Sequence, residues 1–225
     1  KSAKKYIATT YFFTSMIFGT VLLFFLVVNP FINWQQILNT KLIDVEELFN
    51  LTLIVFSLFL VRFIFQLIGV ILLSDLKTAF NNSLITIGNL ISFLVIYALH
   101  RNGFALGLIE LGAILSLFPL FVFIITSIFL FYGKYSYIRP SFSDIDLKLR
   151  KNVLSLGSRF FVLQISAIIL FQTANFVVIQ FYGPEQVTQY SILFQYFQFP
   201  IMIFGMILSP MWSAVTKAYT NQDYY

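Results

Sequence analysis

Residues 154–199 read LSLGSRFFVLQISAIILFQTANFVVIQFYGPEQVTQYSILFQYFQF, and this stretch decides the fold. It begins with an apolar run that exceeds the about 20 residues a helix needs to cross a bilayer. Polar groups are costly in hydrocarbon unless they face other helices or a hydrated cavity. This run nevertheless carries polar side chains at helical spacing, namely Ser155, Ser158, Arg159, Gln164, Ser166, Gln172, Thr173 and Asn175. The pattern predicts a membrane helix that is apolar outside and amide-lined inside, which is typical of a transport path.

The composition agrees with a protein embedded in a membrane. The chain has 225 residues, of which 59% are hydrophobic and only 10% charged, whereas soluble domains have about a quarter charged residues. It contains no cysteine and one histidine, so a disulfide framework and a Cys/His metal site are excluded. No Gly-rich phosphate loop is present, so we expect no resident ATPase, no metal and no cofactor.

Six apolar runs predict six transmembrane helices in an all-α polytopic fold. They cover about 7–28, 48–73, 78–99, 104–131, 153–182 and 187–216. Pro119 predicts a kink in the fourth helix. Asp75 and Lys77 fall in a tight turn between the second and third helices, where we expect them to be solvated only.

The basic residues predict the orientation in the membrane. Most Lys and Arg residues fall on the side that holds the amino terminus, and only Lys41 and Arg101 fall on the other. Because cytoplasmic loops carry the excess of Lys and Arg, the amino-terminal side is predicted to be cytoplasmic. The net charge of +5 then follows from topology, and no nucleic-acid partner is expected.

Three stretches carry a family resemblance. LSLGSRFFVLQISAIILFQTANFVVIQFYGPEQVTQYSI (154–192) resembles the first helix of the second lobe of Wzx-type polysaccharide flippases, together with the loop that follows it. SPMWSAVTKAYTNQDYY (209–225) resembles the end of the next helix, and NPFINWQQILN (29–39) resembles a periplasmic loop of the first lobe. These flippases belong to the multidrug/oligosaccharidyl-lipid/polysaccharide exporter superfamily, so the resemblance implies a fragment of a two-lobed, MATE-like exporter fold.

The resemblance also implies an organisation of the chain. Residues 1–132 would be the remainder of the amino-terminal lobe with four helices, 133–152 a basic cytoplasmic linker, and 153–225 the start of the second lobe with two helices. Helices before Lys1 and after Tyr225 would be missing. The implied function is flipping of a polyprenyl-diphosphate-linked oligosaccharide from the inner to the outer leaflet of a bacterial inner membrane, driven by an ion gradient. The partners would be the lipid-linked oligosaccharide, membrane lipid and other polysaccharide assembly proteins.

Polar residues inside the predicted helices form the candidate substrate cavity. Arg62 could contact a phosphate, or could hold helices together through an ion pair or a carbonyl contact. Arg159 could contact the diphosphate at the inner mouth of the cavity, or could extend to lipid phosphates. The complete candidate set is Arg62, Gln66, Asn89, Arg159, Gln164, Gln172, Asn175, Gln195 and Gln198.

Alternatives to this interpretation remain open. For the amides, the alternative is hydrogen bonding between helices. Glu110 could be an ion-coupling site, although an interfacial carboxylate that reaches water is the favoured interpretation. A multidrug or cation antiporter of the same superfamily is the second candidate function, but it should offer a more apolar or acidic cavity. A membrane glycosyltransferase or polymerase would need catalytic carboxylates, for which the sequence offers only Asp44, Glu46 and Glu47.

Overall fold

The computed structural model describes residues 2–40 and 42–221, apart from the side chains of Ser2 and of a number of residues in the last two helices. In this part of the chain the regular structure is entirely helical, which confirms the predicted class. The α-helices are α1 (Ser2–Val28), α2 (Trp34–Ile37), α3 (Val45–Phe65), α4 (Leu67–Ser74), α5 (Thr78–Arg101), α6 (Leu108–Tyr132), α7 (Arg150–Tyr182) and α8 (Pro184–Asn221). Short 3-10 turns lie at Asn29–Phe31, Ser136–Ile138, Phe142–Asp144 and Leu147–Leu149.

Four segments are long and apolar enough to cross a membrane. They are Ala3–Phe31, Val45–Ser74, Thr78–Arg101 and Leu108–Tyr132, which match the first four predicted spans. The fifth and sixth predicted spans are helical as α7 and α8, but among the described residues only Ile168–Tyr182 stands out there as an apolar stretch, and it is shorter than a full span. A membrane-embedded helical protein is therefore supported, and the six-span arrangement stays a prediction.

The chain forms two compact units. The first consists of Lys1–Gln35 and Lys41–Gln164, and the second of Gln36–Thr40 and Ile165–Tyr225. The predicted linker 133–152 thus falls inside the first unit. The division into two exporter lobes stays a prediction.

Helix α6 is central to the first unit, since it packs along both α3 and α5, while α1 packs along α3. Helices α5 and α6 approach each other closely at Gly88 and Pro119. A Cβ added to Gly88 would lie 2.7 Å from the Pro119 Cα atom, so only glycine allows the two backbones to meet here.

Pro119 interrupts the hydrogen-bond ladder of α6, and a polar side chain of α5 lies beside the interruption. Proline has no N–H and its ring displaces the carbonyls of the preceding turn. The buried Ser92 hydroxyl lies 3.1 Å from the Ile114 carbonyl oxygen and 3.1 Å from the Gly88 carbonyl oxygen, and can donate to either. The Ser92 hydroxyl of α5 therefore supplies a hydrogen-bond donor beside the turn that Pro119 weakens. In apolar surroundings such a group needs a partner within the protein.

A second interruption separates α3 from α4, where the sequence predicts one continuous span. The Gly69 N–H donates to the Gln66 carbonyl at 2.9 Å rather than to Phe65, which it would reach in a regular helix. The Phe65 carbonyl is left to accept from the buried Ser127 hydroxyl of α6 at 3.4 Å. A neighbouring helix thus supplies a hydrogen-bond donor at the break before Leu67.

The second unit has its own polar contacts at the end of α7. Gly183, at φ +85°, ends the helix and its N–H donates to the Ile179 carbonyl at 3.1 Å. The Asn39 amide donates to the carbonyls of Ile179 and Gln180, both at 3.2 Å. In return, the Gln180 amide donates to the Ile37 carbonyl at 2.8 Å, so Gln36–Thr40 is tied to the end of α7.

Candidate functional site

Arg62 lies near the middle of the Val45–Ser74 segment and is half-buried. Its guanidinium carbon lies 5.5 Å from the ring centroid of Phe123 on α6, and Phe123 is fully buried. The Nε atom is buried without a hydrogen-bond partner. In the described part of the chain no carboxylate pairs with Arg62. Among the described residues Arg62 therefore contacts an aromatic ring and forms no ion pair.

Two further candidates lie in the first unit, at different distances from Arg62. Gln66 follows Arg62 by one turn and is half-buried. Its backbone N–H donates to the backbone carbonyl of Arg62 at 2.8 Å. Asn89 is exposed on α5. Because α6 packs between α3 and α5, the arrangement brings Gln66 near Arg62 but does not bring Asn89 into contact with it.

Glu110 lies in the first turn of α6, where its carboxylate is exposed and folds over Gly107. A carboxylate at this position interacts favourably with the positive end of the helix dipole. The position fits the interfacial interpretation that the sequence favours.

The remaining candidates lie on α7 and α8. The side chains of Arg159, Gln164 and Gln172 lie outside the described residues. In the second unit, Gln195 is exposed on α8, whereas Asn175 on α7 and Gln198 on α8 are half-buried.

A cluster of polar residues that the sequence does not predict lies at the end of α4 and α6. The Tyr135 hydroxyl donates to Asp75 Oδ2 at 2.7 Å, and Lys134 Nζ donates to the same oxygen at 3.2 Å. Lys77 Nζ lies 3.2 Å from this oxygen and donates to Tyr135 Oη at 3.3 Å. The expectation that Asp75 and Lys77 are only solvated is therefore wrong, because both bind a tyrosine that is distant in sequence.

Electrostatics keep this cluster charged at neutral pH. The Tyr135 hydroxyl, with Lys77 and Lys134, lowers the pKa of Asp75 to about 2. Burial of Tyr135 and its hydrogen bond to Asp75 raise the pKa of the phenol. The phenol therefore stays protonated and remains a donor to the carboxylate.

The segment that follows α6 is bound to the start of α1 by ion pairs and a hydrogen bond. Lys4 Nζ lies 2.8 Å from Asp144 Oδ2, at ion-pair distance but without the angle of a hydrogen bond. Lys5 Nζ donates to Asp146 Oδ2 at 3.2 Å, and the Asp146 N–H donates to the buried Thr9 hydroxyl at 3.0 Å. The first part of the basic linker is therefore a packed portion of the first unit.

An apolar groove lies between α1, α4 and the turn Ser136–Ile138. Its volume is about 340 Å³, and its walls include Thr10, Leu67, Tyr137 and Ile138. The buried Tyr11 hydroxyl beside it has no hydrogen-bond partner in the described part of the chain. Apolar walls with few polar groups suit a hydrocarbon chain better than a sugar.

Comparison with protein-family models, with curated proteins and with solved structures finds no match for this chain.

Proposed function

We propose that this chain is part of a flippase that moves a polyprenyl-diphosphate-linked oligosaccharide from the inner to the outer leaflet of a bacterial inner membrane. In this proposal six helices of a two-lobed exporter fold span the membrane, with the amino-terminal side in the cytoplasm. Transport is by alternating access and is coupled to an ion gradient. The observation that carries the proposal is Arg62, a cation in the middle of a membrane-length helix without a carboxylate partner among the described residues.

The free energy of placing Arg62 in the membrane supports an anionic ligand. An arginine at the centre of a membrane helix costs about 2.5–3.5 kcal/mol on insertion scales. The Phe123 ring at 5.5 Å offsets about 0.5–2 kcal/mol of this cost. Since the ring alone leaves part of the cost uncompensated, a phosphate that accepts from the guanidinium fork is a fitting partner.

The distribution of carboxylates favours an anionic substrate over a cationic one. In the four membrane-length segments the acidic residues are Glu46, Glu47 and Glu110, and all three lie in the first turn of a helix. A cation antiporter would be expected to hold a carboxylate deeper in the membrane. Gln66, one turn from Arg62, supplies an amide of the kind that suits sugar hydroxyls or water.

Replacement of Arg62 tests the proposal in cells that lack their own copy of the full-length gene. We expect Arg62→Ala to lower surface polysaccharide at least tenfold, because the diphosphate loses its cation. Arg62→Lys should retain intermediate export, since lysine keeps the charge but lacks the planar fork. The readout is surface polysaccharide normalised to the amount of protein in the membrane.

Arg101→Ala is the matched control, because this exposed arginine ends α5 outside the helix centre. It should leave export unchanged. Normal export by Arg62→Ala at normal protein abundance would overturn the role of Arg62. Active extrusion of organic cations without polysaccharide export would favour the antiporter.

A further inference from the structure

Ion pairs divide the basic residues at one end of the first unit into two groups. All three aspartates there are engaged by lysines. Asp75 is held by Lys77 and Lys134, Asp144 by Lys4, and Asp146 by Lys5. These four lysines therefore contribute to internal structure, and their charge is locally balanced.

Four other cations among the described residues at this end form no ion pair, and one of them, Arg139, lies over the Tyr132 ring at 4.7 Å. Lys148, Arg150 and Lys151 are exposed and, together with Leu147, line one surface depression. No carboxylate forms an ion pair with them in the described part of the chain. Asp146 is the nearest acidic residue in sequence, and its charge interacts with that of Lys148 without forming an ion pair. Its Oδ2 binds Lys5 and its Oδ1 accepts from the Lys148 backbone N–H.

The start of α7 concentrates this positive charge further. Arg150 and Lys151 occupy the first turn, which contains no acidic residue. Cations are unfavourable at the positive end of a helix dipole. The arrangement therefore weakens the helix terminus unless an anion binds nearby.

The chain becomes apolar directly after this cluster, from Val153 onward. In the proposed orientation the cluster lies at the level of the lipid headgroups of the cytoplasmic leaflet, which is rich in anionic lipid. We propose that Lys148, Arg150 and Lys151 form a binding surface for the phosphate groups of anionic phospholipids in this leaflet. The inference rests on the proposed orientation and does not require the flippase activity.

Retention of phosphatidylglycerol by the purified full chain tests the proposal. The protein is reconstituted in nanodiscs of phosphatidylcholine with a minor fraction of phosphatidylglycerol, and retained lipids are identified by native mass spectrometry. Each cation near an anionic surface strengthens binding about fivefold. We therefore expect the variant K148Q/R150Q/K151Q to bind phosphatidylglycerol about 100-fold more weakly at low salt, and the difference to shrink as salt is raised.

Two variants serve as controls. K4Q/D144N removes a lysine together with its paired aspartate, so it leaves the net charge and the three cations unchanged and should retain the lipid. K148R/R150K/K151R keeps the charge and should also retain it. If K148Q/R150Q/K151Q does not fold, as judged by circular dichroism, the milder K148Q/K151Q should still weaken binding about 25-fold.

Several results would overturn the assignment. Equal retention of phosphatidylcholine and phosphatidylglycerol, or equal losses in K148Q/R150Q/K151Q and K4Q/D144N, would show that this surface does not select anionic lipid. Inorganic pyrophosphate that displaces the lipid at equal concentration would instead indicate a site for soluble phosphates. Arg62→Ala should not alter lipid retention, so a failure of this proposal is distinguishable from a failure of the proposed function.

Discussion

At the scale of single residues, chemistry depends on contacts that the sequence does not reveal. Arg62 stands out in the sequence because it interrupts an apolar run, and the structure places it in the middle of a membrane-length segment. Its neighbour Phe123 lies on another helix and resembles many other phenylalanines in the chain. Tyr135 resembles an ordinary interfacial aromatic residue, yet it is 2% exposed and binds Asp75.

The lowered pKa of Asp75 predicts that the contribution of this carboxylate to the free energy of unfolding is lost in acid. Its pKa of about 2 lies below the value of about 3.9 for an unfolded chain. A group whose pKa is lowered by folding stabilises the protein above the unfolded pKa, and this stabilisation is lost as pH falls through the folded pKa. The free energy of unfolding of the native chain minus that of Asp75→Asn should thus be constant above about pH 5 and shrink between about pH 4 and 2.

Unfolding in detergent micelles at a series of pH values measures this difference. Tyr135→Phe is the matched variant, because it removes the hydroxyl that contributes most to the low pKa. It should raise the pKa of Asp75 in the folded chain, so the stabilisation should be lost at a higher pH. A pH-independent difference between the native chain and Asp75→Asn over this range would contradict the assignment.

At the scale of helices, the sequence predicts where each helix lies better than whether the helix is continuous. Apolar runs located the first four spans to within a few residues, because hydropathy reports directly on lipid exposure. The apolar run does not predict the interruption at Gln66, since glutamine is a good helix former and a single polar residue does not end a membrane span. The carbonyl freed at the break accepts from the Ser127 hydroxyl, which lies on α6 and is distant in sequence.

The contact between Gly88 and Pro119 predicts that α5 tolerates no larger residue at this position. A Cβ at Gly88 would approach the Pro119 Cα atom to 2.7 Å, and a backbone atom has little room to move. We expect Gly88→Ala to lower the free energy of unfolding by about 1–3 kcal/mol through overpacking. Reversible unfolding of the full chain in mixed micelles gives this value.

Gly19→Ala provides the control for the change in helix propensity. Gly19 lies within α1, and an added Cβ would meet nothing within 4 Å. The substitution should be neutral or stabilise by up to about 1 kcal/mol. Equal effects at both glycines would mean that the close approach of α5 and α6 contributes nothing.

At the scale of the whole molecule, the sequence predicted a basic linker but not its attachment. A long polar stretch between apolar runs resembles a free loop, since its charges have no visible partners along the chain. In the structure Asp144 and Asp146 pair with Lys4 and Lys5. The six-span organisation and the two lobes stay predictions, because they depend on relations between distant segments that composition alone does not determine.

Exchanging the two charges of the Lys4–Asp144 ion pair tests whether it holds the segment after α6 against α1. We expect Lys4→Glu to speed hydrogen exchange in residues 141–146, because it replaces attraction to Asp144 with repulsion. The double variant Lys4→Glu/Asp144→Lys should restore slow exchange. Both side chains are partly exposed, so the effect should be local, weaken with salt, and leave global stability within about 1 kcal/mol. Unchanged exchange in Lys4→Glu would show that the ion pair does not hold the segment.

The attachment of Asp146 to Lys5 and Thr9 also has a consequence for biosynthesis. The two ends of the contact are 141 residues apart in the chain. A ribosome that adds about 5–20 residues per second needs roughly 7–28 s to cover this interval. During that time Lys5 and Thr9 at the start of α1 lack the partner that they have in the folded chain, so this contact forms only after α6 has been synthesised.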